Sequence, residues 1–163
     1  MGTSSNGNKN TEGGQSSAYN QAKSSTPKLT KSALEHSNIG EFQKNGRMKS
    51  GGHGQDNIEK LEEEGIEYNI VKEFPNGVRL GNVPDHHEPN KREGTKQAWF
   101  PKDWTEADIK AAGKELANSE EARNAKGKTT IKGTYKGVNV GIIVENGKIK
   151  TIYPDYDQPE EGK

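Results

Sequence analysis

Residues 131–154 read IKGTYKGVNVGIIVENGKIKTIYP. Two turn signals, Lys136-Gly137 and Asn146-Gly147, divide the stretch into three extended runs rich in Ile, Val, Tyr and Thr. Such pairs supply the positive φ that tight hairpin turns need, so the stretch predicts a three-stranded β-meander. Working back toward the N-terminus, TEADIKAAGKELAN predicts a helix. Thr105 is its N-cap, Asp108 lies in the first turn, and Ile109, Ala112 and Leu116 share one face. TKQAWFP is a short strand ended by Pro101, and residues 84–94 and 119–128 read as polar loops. Residues 66–83 predict a hairpin around the turn Pro75-Asn76-Gly77, with Ile66, Tyr68 and Ile70 facing inward on a half-buried strand. Asp56 is the expected N-cap of a helix over 57–64, with Glu59 completing a capping box and Gly65 as the stop. Residues 40–52 read as a glycine-rich loop, and KSALEH, 31–36, as a short helix that needs packing to persist. Helices are not interleaved strand by strand and no internal repeat is visible. The expected class is therefore α+β: N-terminal helices, then antiparallel sheets ending in the meander.

Residues 1–30 are dominated by Ser, Asn, Gly, Thr and Lys. They hold too little apolar surface to offset the entropy of ordering, and the expectation is a disordered tail or linker. The domain then spans 31–158, with a short C-terminal tail at 159–163. The 24 basic and 24 acidic side chains cancel. This excludes a strongly basic nucleic-acid coat but not a local basic site. With no cysteine in the chain, disulfides and Cys-based zinc sites are excluded. No apolar run reaches the length of a membrane span. The first residues lack the apolar core of a secretory signal, so export is expected to depend on another segment or machine.

Four separated elements carry the chemistry: HSNIGE (His36–Glu41), GGH (Gly51–His53), KQAWFPKDW (Lys96–Trp104) and TIYPD (Thr151–Asp155). From His36 to His53 is 17 residues, from His53 to Lys96 43, and from Lys96 to Thr151 55. In order and spacing this set resembles the EndoU-type endoribonucleases, in particular the bacterial toxin form of that domain within the barnase/EndoU/RelE-like superfold. The resemblance covers roughly residues 31–157. It implies His53 as general base, His36 as general acid and Lys96 as the cation at the phosphate, with Thr151 and Tyr153 holding the nucleotide; which histidine is base and which acid rests on the resemblance. It also implies an RNA substrate (a tRNA among the candidates), 2′,3′-cyclic phosphate and 5′-OH products, and no metal or other cofactor. A role as the C-terminal toxin module of a larger delivered protein follows, acting in the target-cell cytoplasm and matched by a cognate immunity protein.

Elementary chemistry runs the same way. RNA carries its own nucleophile, the 2′-OH. Cleavage then needs a base, an acid for the leaving 5′-oxygen, and a cation for the charge that builds on phosphorus. Two imidazoles and an ammonium meet those needs near neutral pH. Alternation along a strand puts Thr151 and Tyr153 on one face. Taken singly, each residue has a plainer reading: His53 as a polar loop residue, His36 as a partner of the helix dipole, Lys96 as a solvated lysine, Thr151 and Tyr153 as ordinary strand residues. Trp99, Phe100 and Trp104 read as core anchors. His86-His87 in an acidic loop suggests metal, but neighbours in an extended chain point apart. Lys91 and Arg92 read as a solvated loop, although either could contact phosphate. Two further function classes stay open: a non-catalytic RNA- or protein-binding module, and a metal-dependent nuclease built on His86 and His87.

Overall fold

A computed structural model describes residues 25–160, and among these residues four α-helices and three short antiparallel sheets build the fold. Most of the expected N-terminal tail and the last three residues of the chain lie outside that range. Helix α1 (Lys31–Asn38) is followed by β1 (Glu41–Phe42) and β2 (Met48–Ser50), then by α2 (Gln55–Glu63). Strands β3 (Asn69–Glu73), β4 (Arg79–Asn82) and β5 (Gln97–Trp99) form the second sheet. Helices α3 (Glu106–Ala117) and α4 (Glu120–Arg123) lead into the meander of β6 (Lys128–Tyr135), β7 (Val138–Glu145) and β8 (Lys148–Pro154). The class is α+β with a C-terminal meander, and both meander turns take positive φ, at Lys136-Gly137 and Asn146-Gly147.

The larger core lies between the meander, α3 and the second sheet, and includes Phe100, Ile109, Leu116, Val140, Ile142 and Ile152. A smaller cluster of Met48, Ile58, Leu61, Val83 and Trp99 sits beneath α2. Trp99, Phe100 and Trp104 are all buried, and Phe100 stacks on Trp104 at 4.9 Å between ring centroids. Thr105 caps α3, and its partner in the capping box is Asp108.

Several local expectations are corrected. Gly54, not Asp56, is the N-cap of α2, and no side chain caps it. Asp56 lies inside the first turn, where its carboxylate accepts a hydrogen bond from Asn38 Nδ2 at 2.8 Å. Tertiary demand for that carboxylate has overridden the local capping pattern. The helix stop is as read: Ile66 N–H reaches Leu61 O and Gly65 N–H reaches Glu62 O, the paired bonds of a Schellman motif. Ile66 and Tyr68 do pack on the smaller core, but they precede β3, and Ile70 is 42 % exposed. The bulge between Ile70 and Lys72 breaks the alternation. The 40–52 loop contains the β1–β2 pair, and the 119–128 loop contains α4. A 3₁₀ turn over Pro89–Lys91 interrupts the 84–94 loop. Residues just before α1 are tied down: Lys28 N–H bonds Gly147 O, and Lys28 O accepts from Ile149 N–H.

Candidate active site

The end of α1 and the glycine-rich segment before α2 run side by side. Gly52 N–H bonds His36 O (2.9 Å), His53 N–H bonds Ser37 O (2.6 Å) and Gly54 N–H bonds Asn38 O (3.0 Å). This backbone ladder joins the HSNIGE and GGH elements directly. Gly51, at φ +69°, has no room for a side chain: a Cβ there would lie 2.1 Å from His36 O and 3.0 Å from the His36 ring. Glycine is what allows the two histidine segments to approach. Gln97 secures the other side, with its Nε2 donating to Gly52 O at 2.9 Å. Asn57 bridges Ile39 O and the Trp99 indole N–H.

His53 is 7 % exposed. Its Nδ1–H donates to Ala98 O at 2.8 Å, which leaves the Nε2 lone pair as the free acceptor. Phe100 N–H bonds His53 O, so β5 holds both the backbone and the ring. Burial is the first cause that lowers the imidazole pKa to about 3, and the positive charge of Lys91 the second. His36 is half-buried, and its Nδ1–H donates to the Glu41 carboxylate at 3.0 Å. Ser50 Oγ holds the other oxygen of Glu41. Glu41 is the acidic residue of HSNIGE, so its partnership was visible in that element.

Ser37 connects these histidines to the meander. Its Oγ donates to Ala33 O and accepts from Ile152 N–H, each at 2.9 Å. Because β8 is an edge strand, that N–H has no strand partner on its outer side. Thr151 and Tyr153, flanking Ile152, are thereby set beside α1. Both lie on the face away from the core, with Ile152 buried between them, as the alternation predicts. The Tyr153 ring lies across Gly141 of β7, where a Cβ would come within 2.4 Å of Cζ. It also faces the His53 ring, at 6.3 Å between centroids. Thr151 Oγ1 is buried and has no hydrogen-bond partner among the described residues. Together with His36 it lines a cavity of about 420 Å³ bounded by α1, the start of β6, the end of β7 and the first half of β8.

Lys96 precedes β5 and is exposed. Tyr156 O–H donates to Lys96 O, which fixes its backbone against the segment that follows β8. Hydrogen bonds and packing thus bring His36, His53, Thr151 and Tyr153 together around α1, the GGH segment and β8, and Lys96 is tied to the segment after β8 through its backbone carbonyl.

The loop over 84–92 departs from its solvated reading. Lys91 and Arg92 are half-buried, and Arg92 donates to His86 O and His87 O. Arg47 donates to Asp85 O and His86 O from the other side. His86 is fully buried, with Nδ1 accepting from Glu88 N–H; burial, then Lys91, lower its pKa to about 4. His87 instead meets Gln43 Nε2 at 3.0 Å, so the adjacent imidazoles serve separate partners. Among the described residues no group of three or more His, Asp or Glu side chains is placed to hold a metal ion. Nor is any described helix long and apolar enough to cross a membrane.

The family model for the bacterial EndoU nuclease matches residues 30–156. No curated protein and no solved structure matches the chain.

Proposed function

From the premise that this chain belongs to the bacterial EndoU nuclease family, we propose that it is an endoribonuclease that cleaves RNA by attack of the 2′-OH, without a metal ion. The observation that carries this reading is the pair of oppositely tethered imidazoles: His53 Nδ1 on a carbonyl and His36 Nδ1 on a carboxylate. His53 is neutral before substrate arrives, as a base must be, and its Nε2 takes the 2′-OH proton. The 2′-oxygen bonds to phosphorus. His36, oriented by Glu41, gives its Nε2 proton to the 5′-oxygen as the P–O5′ bond breaks. A 2′,3′-cyclic phosphate and a 5′-OH end result. Lys96 stabilises the charge on the phosphorane oxygens. The entering phosphate is an anion, and it raises the proton affinity of His53 at the moment the base is needed. Thr151 and Tyr153 hold the nucleotide, with Tyr153 stacked on the base or set against its sugar.

The same reading makes the protein a toxin module delivered into target cells, with an immunity protein that covers the His36/His53/Lys96 cleft. Digestion of total RNA by the purified protein tests the assignment. Single alanine variants at His36, His53 and Lys96 should each abolish cleavage and, on expression, growth inhibition. Full activity in any of the three removes that residue from its role.

A further inference from the structure

The cavity beside His36, which Thr151 also lines, extends past both residues along Lys128, Glu145, Lys148 and Lys150. The geometry points to it as the subsite for the nucleotide on the 3′ side of the cleaved bond, with Lys128, Lys148 and Lys150 receiving the phosphate that follows that nucleotide. This rests on the proposed roles of the two histidines. In an in-line displacement the attacking 2′-oxygen and the leaving 5′-oxygen lie on opposite sides of phosphorus. The base marks the first side and the acid the second. His36 lines the cavity and His53 does not; the Tyr153 ring that faces His53 is outside it as well. The chain that leaves with the 5′-oxygen therefore departs past His36 into the cavity. At about 420 Å³ the space lies in the roughly 300–1,000 Å³ range of small-ligand sites.

The polar lining is built by a defect in the sheet. Val144 pairs with Ile149 and Ile143 with Thr151, so Lys150 is an extra residue in a β-bulge. A bulge turns two successive side chains toward one face. Here Lys150 and Thr151 both lie off the core, between buried Ile149 and Ile152. Without it, Lys148 and Lys150 could not share a face with Thr151. Lys128 enters from β6 through the row Lys128–Glu145–Lys148. The lining also carries Glu41, which is occupied by His36 and Ser50, and Glu145, which lies between two of the lysines. Positive charge prevails at the rim.

Three substrates test the assignment: a dinucleotide with one phosphodiester, the same dinucleotide with a 3′-phosphate, and the same with a 5′-phosphate. kcat/KM is measured for each with the wild-type protein and with Lys148→Ala/Lys150→Ala. The 3′-phosphate should raise wild-type kcat/KM about tenfold, as a charge-assisted contact does, and the double variant should lose that gain while any effect of the 5′-phosphate persists. Lys128→Ala, on another strand, should lose part of the same gain. An unchanged 3′-phosphate gain in both variants, or loss of the 5′-phosphate effect instead, overturns the subsite while leaving the nuclease reading intact. No cleavage of any RNA by the wild-type protein overturns both.

Discussion

Tyr153 and His36 are each held by a neighbour that does no chemistry. The Tyr153 ring needs the bare backbone of Gly141, since a Cβ there would overlap it. Gly141→Ala should push the ring off its position and raise KM about tenfold, a loss of one good contact to the nucleotide. The midpoint of urea unfolding should hardly move, because the displaced ring sits on the outer face of the meander. Glu41 fixes the His36 ring through Nδ1. Glu41→Ala should lower kcat by about 10- to 100-fold, part of the contribution of a well-placed acid, with KM little changed. A parallel loss of kcat and stability would show Glu41 to be structural only. At this scale the sequence was uneven. Glu41 stood in the HSNIGE element. The Ala98 carbonyl that orients His53 left no trace, because every residue type offers a carbonyl.

Elements meet at the site through a few polar ties. Ser37 is the one that joins α1 to β8. Ser37→Ala leaves Ile152 N–H buried without a partner, which should destabilise the fold by about 1–3 kcal/mol. Urea unfolding followed by tryptophan fluorescence measures this; activity should fall as well, since His36 loses its anchor to Thr151 and Tyr153. The meander and α3 were legible because each is specified locally, by turn residues at positive φ and by a capping box. The start of α2 was not. Asp56 and Glu59 match a capping box in sequence, yet Asp56 answers to Asn38 on another helix. Nothing near Asp56 in the chain announces that partner. The same limit hid the bulge at Lys150, which is a property of the β7–β8 register and invisible in either strand alone.

Across the whole molecule, two buried histidines couple stability to pH. In the unfolded chain both take up protons as pH falls through about 6.5; in the folded protein His86 does so at about 4 and His53 at about 3. The unfolded state binds more protons throughout that interval. Stability is therefore full above about 6.5 and is lost as pH falls toward 3. Between pH 7 and pH 4.5 the unfolding free energy should drop by at least about 2 kcal/mol. His86→Asn, whose Oδ1 can still accept from Glu88 N–H, should flatten that slope; an unchanged slope would assign the acid sensitivity to other groups. The order of the four sequence elements marked the proposed site residues before any fold was known, whereas the cavity beside His36 emerged only once α1 and the meander were seen together. The reaction itself is tested most directly by the ends left on RNA after digestion in excess EDTA. The proposed chemistry predicts undiminished cleavage, with a 2′,3′-cyclic phosphate on one fragment and a 5′-OH on the other. Cleavage that stops in EDTA, or that leaves 5′-phosphate and 3′-OH ends, would contradict it.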